Sequence, residues 1–257
     1  MRILSIGNSF SEDAQRFLTN IARSAGDENF ECHNLYIGGC SLKRHYEEHI
    51  AGNSSYDYIV DGGLPIRKIS LAEALGSLGE FDVITLQQTS RTCGQPQSYL
   101  PYLTVLADLV RENQPRAKLY FHETWAYETD STHSAFVHYD HNQKEMFRRL
   151  CDCAEMCRIL IDCDVIRAGE FIQYLRENTA EFDYANGGMS LNRDGYHLSK
   201  NYGRFAAAAL WYFTLCGALP NVDKFMESVS LRDGEPEFEP AILCKIVSAL
   251  KEFTEAE

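Results

Sequence analysis

Short apolar runs alternate with amphipathic stretches along most of the chain, and the period of each stretch predicts its form. Residues 2–6 read as a buried strand. Residues 11–25 read as a helix, because Phe17, Leu18, Ile21, Ala22 and Ala25 fall on one face. Ser11 is the expected N-cap, with Glu12 and Asp13 in the first turn, where negative charge suits the helix dipole. Further strands are predicted over 30–37, 81–86 and 118–122, with a weaker fifth over 159–161 and 164–166. Helices are predicted over 41–51, 70–78, 100–113, 143–158, 203–216 and 241–253. Residues 56–61 and 66–69, joined by Gly62-Gly63-Leu64-Pro65, read as a short hairpin or an irregular excursion.

Strand and helix in alternation imply a parallel sheet covered on both faces. The expected fold is α/β, a three-layer α/β/α sandwich on a central parallel five-stranded sheet, with residues 1–257 forming one domain. Sites in such sheets lie at the carboxyl ends of the strands. Here those ends are residues 7–11, 38–41, 87–90 and 122–125, and all four carry small or polar residues.

Composition narrows the function. A chain of 257 residues, 45% hydrophobic and 24% charged, can bury a sizeable core without disulfides or metal. Its formal net charge of −13 disfavours nucleic acid and anionic membrane, since both need clustered Lys and Arg. The nine cysteines are an odd number, and the opening Met1-Arg2-Ile3-Leu4-Ser5-Ile6 lacks the apolar core of a signal peptide. No apolar run reaches membrane-helix length. Free thiols in a reducing cytoplasm are therefore expected, with no cofactor.

Two distant loops carry the chemistry. Ser9, in Gly7-Asn8-Ser9-Phe10-Ser11, follows the first strand and precedes a helix N-terminus, whose backbone N–H groups would face a developing oxyanion. Alone it reads more readily as a turn serine. Asp194 and His197, in Arg193-Asp194-Gly195-Tyr196-His197, are spaced so that one loop delivers a carboxylate and an imidazole to one place; alone, that loop reads equally as a surface turn. Together the three groups are a nucleophile, its base and the base's orienting carboxylate, which is what acyl transfer needs.

On these motifs the chain resembles the SGNH (GDSL-type) hydrolase superfamily, and in particular an uncharacterised bacterial branch with Gly-Asn-Ser-Phe-Ser at the start and Asp-Gly-Tyr-His-Leu-Ser near the end. The resemblance spans nearly the whole chain. It implies Ser9 as nucleophile and Asp194 and His197 as acid and base. It also implies an oxyanion hole from the N–H groups of Ser9 and Gly39, the latter in Gly38-Gly39-Cys40-Ser41. The third block departs from the usual Gly-x-Asn-Asp. Leu86-Gln87-Gln88-Thr89-Ser90 is closer to the Gln-Gly-Glu-Ser block of some carbohydrate acetylesterases, which places the side-chain donor on Gln87, with Gln88 as the alternative. A glutamine amide donates as asparagine does, one methylene further out.

Several other features have bland readings beside sharper ones. His133, His138 and His141 fit no compact zinc motif and read better as part of a loop lining the cleft. His45 and His49, four apart on a helix, are more often solvated or hydrogen-bonded than metal-bound. Cys151, Cys153 and Cys157 read as free helix cysteines, of which only Cys153 and Cys157 share a face. Cys40 beside Gly39 is a candidate reactive thiol, and Trp125, Tyr127 and Tyr196 a candidate platform for a sugar ring. The expected function is that of a serine esterase removing a small acyl group, most simply an O-acetyl ester of a carbohydrate or glycoconjugate. The alternatives are a lipid-type esterase or thioesterase, or a silent ligand-binding protein of the same fold. The expected partner is a small-molecule ester, and the sequence does not specify an oligomeric state.

Overall fold

The computed structural model describes residues 1–255. Seven strands form one sheet: β1 (Arg2–Gly7), β2 (Glu31–Tyr36), β3 (Tyr56–Val60), β4 (Pro65–Ile69), β5 (Val83–Leu86), β6 (Lys118–Glu123) and β7 (Asp164–Arg167). Their order is β4-β3-β2-β1-β5-β6-β7. Strands β2, β1, β5, β6 and β7 run parallel, as expected for five strands. The sheet is larger than expected because the 56–69 hairpin adds β3 and β4 antiparallel on the β2 edge. Central β1 is buried on both faces, which explains its nearly unbroken apolar run.

Among the described residues, ten α-helices cover the sheet. On one face lie α1 (Ser9–Gln15), α2 (Leu18–Ser24), α7 (Ala168–Asn178), α8 (Tyr202–Cys216), α9 (Val222–Ser228) and α10 (Pro240–Glu255). On the other lie α3 (Leu42–Ile50), α4 (Leu71–Ser77), α5 (Tyr102–Asn113) and α6 (Gln143–Leu160). Cys153 and Cys157 pack in this second core, and all nine cysteines are free. Among the described residues no helix is long and apolar enough to cross a membrane.

Three departures from the sequence reading have physical causes. The first helix starts two residues earlier than Ser11, because the Asn8 side chain caps it by accepting from Phe10 N at 3.0 Å. Ser11 instead donates its buried hydroxyl to Asn8 O and Asn34 Oδ1. That helix then breaks between α1 and α2, where Phe17 turns into an aromatic cluster with Phe225 and Phe238 and Arg16 reaches Glu235. Helix α7 was not expected, and its second residue, Gly169, is a poor helix former. A glycine is needed there: a Cβ would lie 2.1 Å from Thr124 O at the end of β6.

Two buried histidines carry a testable signature. His45 in α3 is held by the Tyr56 hydroxyl at 2.9 Å, and His122 in β6 bonds Gln87 Oε1 at 2.8 Å. Burial pushes both down to about 3, so both rings are neutral in the folded protein. The unfolded chain protonates its histidines near 6.5. Their contribution to stability is therefore complete above about pH 6.5 and is lost as pH falls toward 3, by up to about 1.4 kcal/mol per pH unit for each. Thermal unfolding of wild type and His45→Asn across pH 7 to 5 should show a shallower fall for the variant; identical slopes would contradict neutral burial of His45.

Candidate active site

The strand order reverses at β1, with β2 following on one side and β5 on the other, and the crevice above such a reversal is where α/β sheets place ligands. Three loops meet there: residues 8–9 after β1, residues 38–41 after β2 and residues 87–91 after β5. Asn8 joins them. Its Nδ2 donates to Cys40 O at 2.9 Å, and its Oδ1 accepts from Gln87 Nε2 at 2.6 Å as well as from Phe10 N. Gly7 has to be a glycine, since a Cβ there would lie 2.2 Å from Ser11 Oγ.

The second contribution comes from 190 residues away in the sequence, and a buried carboxylate brings it in. Asp13, one turn after Ser9 in α1, is fully buried. It accepts from Leu198 N at 3.0 Å, from Arg193 Nη1 at 2.9 Å and from Arg204 Nε at 2.8 Å. Arg204 and Arg16 also share Glu235. The 192–198 loop is closed on itself by a bridge between Asn192 and Leu198 and by Arg193 N donating to His197 O at 2.9 Å. Gly195 turns the loop at a φ of +83°, packed against Ser131. Trp125 Nε1 pins its tip by donating to Tyr196 O at 2.8 Å.

These ties bring the three chemical groups into line. Ser9 Oγ lies 2.9 Å from His197 Nε2, and His197 Nδ1 lies 2.7 Å from Asp194 Oδ2. Asp194 Oδ1 accepts from the backbone N–H groups of Tyr196 and His197, so the carboxylate is fixed by its own loop. Burial would raise the Asp194 carboxyl, but the hydrogen bonds from His197 and the backbone outweigh it and hold it below the ordinary carboxylate value. An ionised Asp194 accepts a hydrogen bond from Nδ1–H, which leaves the Nε2 lone pair facing the Ser9 hydroxyl. The ring rests on Tyr196, with centroids 4.2 Å apart.

Ser9 and His197 line a cavity of about 160 Å³ with Asn8, Phe10, Gly39, Thr89, Ser90, Arg91, His133 and Tyr196. Gly39 is thus placed where the sequence expected it, in the left-handed conformation at a φ of +61°. Among the described residues, nothing accepts a hydrogen bond from the N–H of Ser9 or of Gly39.

Other expectations are corrected. Gln87 does not face the cavity: it is buried behind Asn8, its Nε2 spent on Asn8 and its Oε1 on His122. Gln88 is no substitute, because its amide joins Leu42 N and Thr89 N to Ser98. Cys40 is fully buried, and burial pushes its thiol up to about 12, so it is no reactive thiolate. Trp125 and Tyr127 are buried core, leaving only Tyr196 of the proposed aromatic platform at the cavity. Of the 133–141 histidines, His133 lines the cavity while His138 and His141 are exposed. His45 is buried and hydrogen-bonded to Tyr56, in keeping with the hydrogen-bonded reading. Arg91 had no signal in the sequence beyond its place after a strand end.

Two variants test the framework. Asp13→Ala leaves Arg193 and Arg204 without their shared buried carboxylate and should lower stability by about 3–5 kcal/mol in urea unfolding; a loss under about 1 kcal/mol would contradict its role. Gln87→Leu strands a buried donor on His122 and should cost about 1–3 kcal/mol. A stability equal to wild type would show that this network does not tie the loops.

Comparison with known proteins agrees with this architecture. The chain is similar to a DUF4886 family protein from Bacteroides uniformis, with 29% identity and a TM-score of 0.83 over 99% of this chain and 95% of that one. It is also similar to an SGNH-hydrolase-type protein of Slackia heliotrinireducens, with 17% identity and a TM-score of 0.56, covering 84% of this chain and 98% of that one. A third similar structure is the acetyl xylan esterase AlAXEase, at 14% identity and a TM-score of 0.51, covering 82% and 98%. No curated protein matches. The fold is that of the SGNH hydrolases, a group that includes esterases. The DUF4886 domain, a domain of unknown function, matches residues 2–233, and the chain belongs to that family.

Proposed function

We propose that the protein is a serine ester hydrolase that removes a short acyl group, with Ser9 as nucleophile, His197 as general base and Asp194 as its orienting carboxylate. The observation that carries this reading is the unbroken line from Ser9 Oγ to His197 Nε2 at 2.9 Å and from His197 Nδ1 to Asp194 Oδ2 at 2.7 Å.

As Ser9 Oγ bonds to the ester carbonyl carbon, its proton passes to His197 Nε2 and the carbonyl oxygen becomes an oxyanion. The free N–H groups of Ser9 and Gly39 receive that charge. The third donor passes from Gln87 to the hydroxyls of Thr89 and Ser90, which line the cavity; Ser90 Oγ already accepts from Tyr127 at 3.0 Å, so its own hydrogen is free to point elsewhere. His197 then returns the proton to the leaving alcohol. Water, deprotonated by the same imidazole, releases the acid from Ser9.

The cavity favours a small acyl group. It is small, about 160 Å³, and polar side chains outnumber the aromatic Phe10 and Tyr196 in its lining, which suits acetyl better than a lipid chain. A carbohydrate alcohol as leaving group is supported by the polar lining and by the likeness to an acetyl xylan esterase. The nine free thiols suit a reducing cytoplasm.

Hydrolysis of 4-nitrophenyl acetate tests the reading. Ser9→Ala should reduce kcat/KM by about 10³-fold or more, and Asp194→Asn by roughly 10⁴-fold through misassignment of the imidazole proton. Equal rates for wild type and Ser9→Ala would end it. Across acetate, butyrate and octanoate esters the rate should fall with chain length; a rise toward octanoate would favour a lipid esterase.

A further inference from the structure

Arg91 differs from every other arginine in the chain. Acidic residues outnumber basic ones 37 to 24, and partners for a guanidinium are plentiful. Thus Arg16 meets Glu235, Arg193 and Arg204 meet Asp13, Arg176 reaches Glu128, and Arg232 reaches the carbonyls of Gly62 and Gly63. Among the described residues, Arg91 alone of the arginines has neither an ion pair nor a hydrogen bond. It follows Thr89 and Ser90 beyond the end of β5 and lines the cavity of Ser9 and His197. No carboxylate lines that cavity among the described residues, so its one permanent charge is an uncompensated cation.

A second donor stands beside it. His133 Nδ1 accepts from Ala135 N at 3.1 Å, so the proton of the neutral ring sits on Nε2. Partial burial, with Arg91 and His197 nearby, lowers the pKa of His133 and favours that neutral form. Its ring is braced between Tyr127 and Tyr196, with centroids at 4.7 and 4.6 Å. Among the described residues Nε2–H has no partner. The cavity therefore presents a guanidinium and an imidazole N–H beside the hydroxyls of Thr89 and Ser90. A planar guanidinium binds a carboxylate or phosphate through paired hydrogen bonds, and Arg91, exposed at this cavity and without a partner among the described residues, is free to do so.

We propose that Arg91 and His133 form an anion-binding subsite beside Ser9, so that the preferred substrate is a short-chain ester of a sugar carrying a carboxylate or phosphate, not of a neutral sugar. This rests on the ester-hydrolase reading and adds the charge of the alcohol. Arg91 acts on binding: it holds the anion in both ground and transition states, so its loss appears mainly in KM.

The test compares three probes of one stereochemistry: O-acetylated galacturonate, O-acetylated galactose 6-phosphate and O-acetylated galactose. Wild type should favour at least one charged ester over the neutral one by tenfold or more in kcat/KM, and the better of the two identifies the anion. The preference should shrink as salt rises from 0.05 to 0.5 M, and Arg91→Gln should bring the ratio close to one, with Arg91→Lys in between. A ratio near one in wild type, or a ratio unchanged in Arg91→Gln, overturns the proposal while leaving the hydrolase reading intact. If no ester shows Ser9-dependent turnover, the hydrolase reading fails, and binding decides the subsite separately. Calorimetry on Ser9→Ala with galacturonate, galactose 6-phosphate and galactose should then show tighter binding of a charged sugar, lost on adding Arg91→Gln. Equal binding of all three overturns it.

Discussion

The carboxylate of Asp13 is the constraint on which the site depends. It is shut away from water and meets two guanidinium groups and one backbone N–H. A carboxylate in that position is tolerable only while its partners stay in place, because the desolvation of three charges is offset by their mutual attraction and hydrogen bonds alone. That makes the cluster intolerant of displacement. Asp13 belongs to the helix that begins at Ser9, and Leu198 follows His197 directly, so the cluster fixes Ser9 and His197 relative to each other across the length of the chain. Glu235 extends the tie to the segment before α10 through Arg16 and Arg204.

A second, neutral network does the same for the loops after β1, β2 and β5. His122 donates to Gln87, Gln87 to Asn8, and Asn8 to Cys40 O. Three consecutive buried hydrogen bonds make up this line, which ends at the unpartnered Nε2 of His122, and losing one member strands its neighbour. The outcome is that the N–H groups of Ser9 and Gly39 are left free at one cavity, preorganised before any substrate arrives. The charged cluster sets the distance from Ser9 to His197; the amide network shapes the loops on the other side of the cavity.

The fold, and the loops that bring Ser9, His197 and Asp194 together, were legible in the sequence because each has a local signal. Period and chain order marked out the five parallel strands, and the serine after the first strand gained meaning only jointly with Asp-x-x-His near the end and the resemblance the two motifs carry. What could not be read depends on tertiary neighbours. The side of the sheet end that Gln87 faces is decided by Asn8 and His122, both distant in sequence. The break after Arg16 is imposed by Glu235 and by the Phe225–Phe238 cluster. Trp125 and Tyr127 have the composition of a sugar platform, but packing against Phe10 of α1 and against the 133–139 loop buries them. Arg91 became informative only once every other arginine was seen to have a partner.

The central claim is that Ser9 is activated by His197 across this folded junction, and covalent capture tests it most directly. A short-chain fluorophosphonate adds only to a serine whose hydroxyl is activated by an adjacent base. Intact-mass spectrometry followed by peptide mapping should find one adduct, on Ser9, in wild type, and none on the same timescale in His197→Ala. Labelling at another residue, or labelling of Ser9 that persists without His197, would contradict the account.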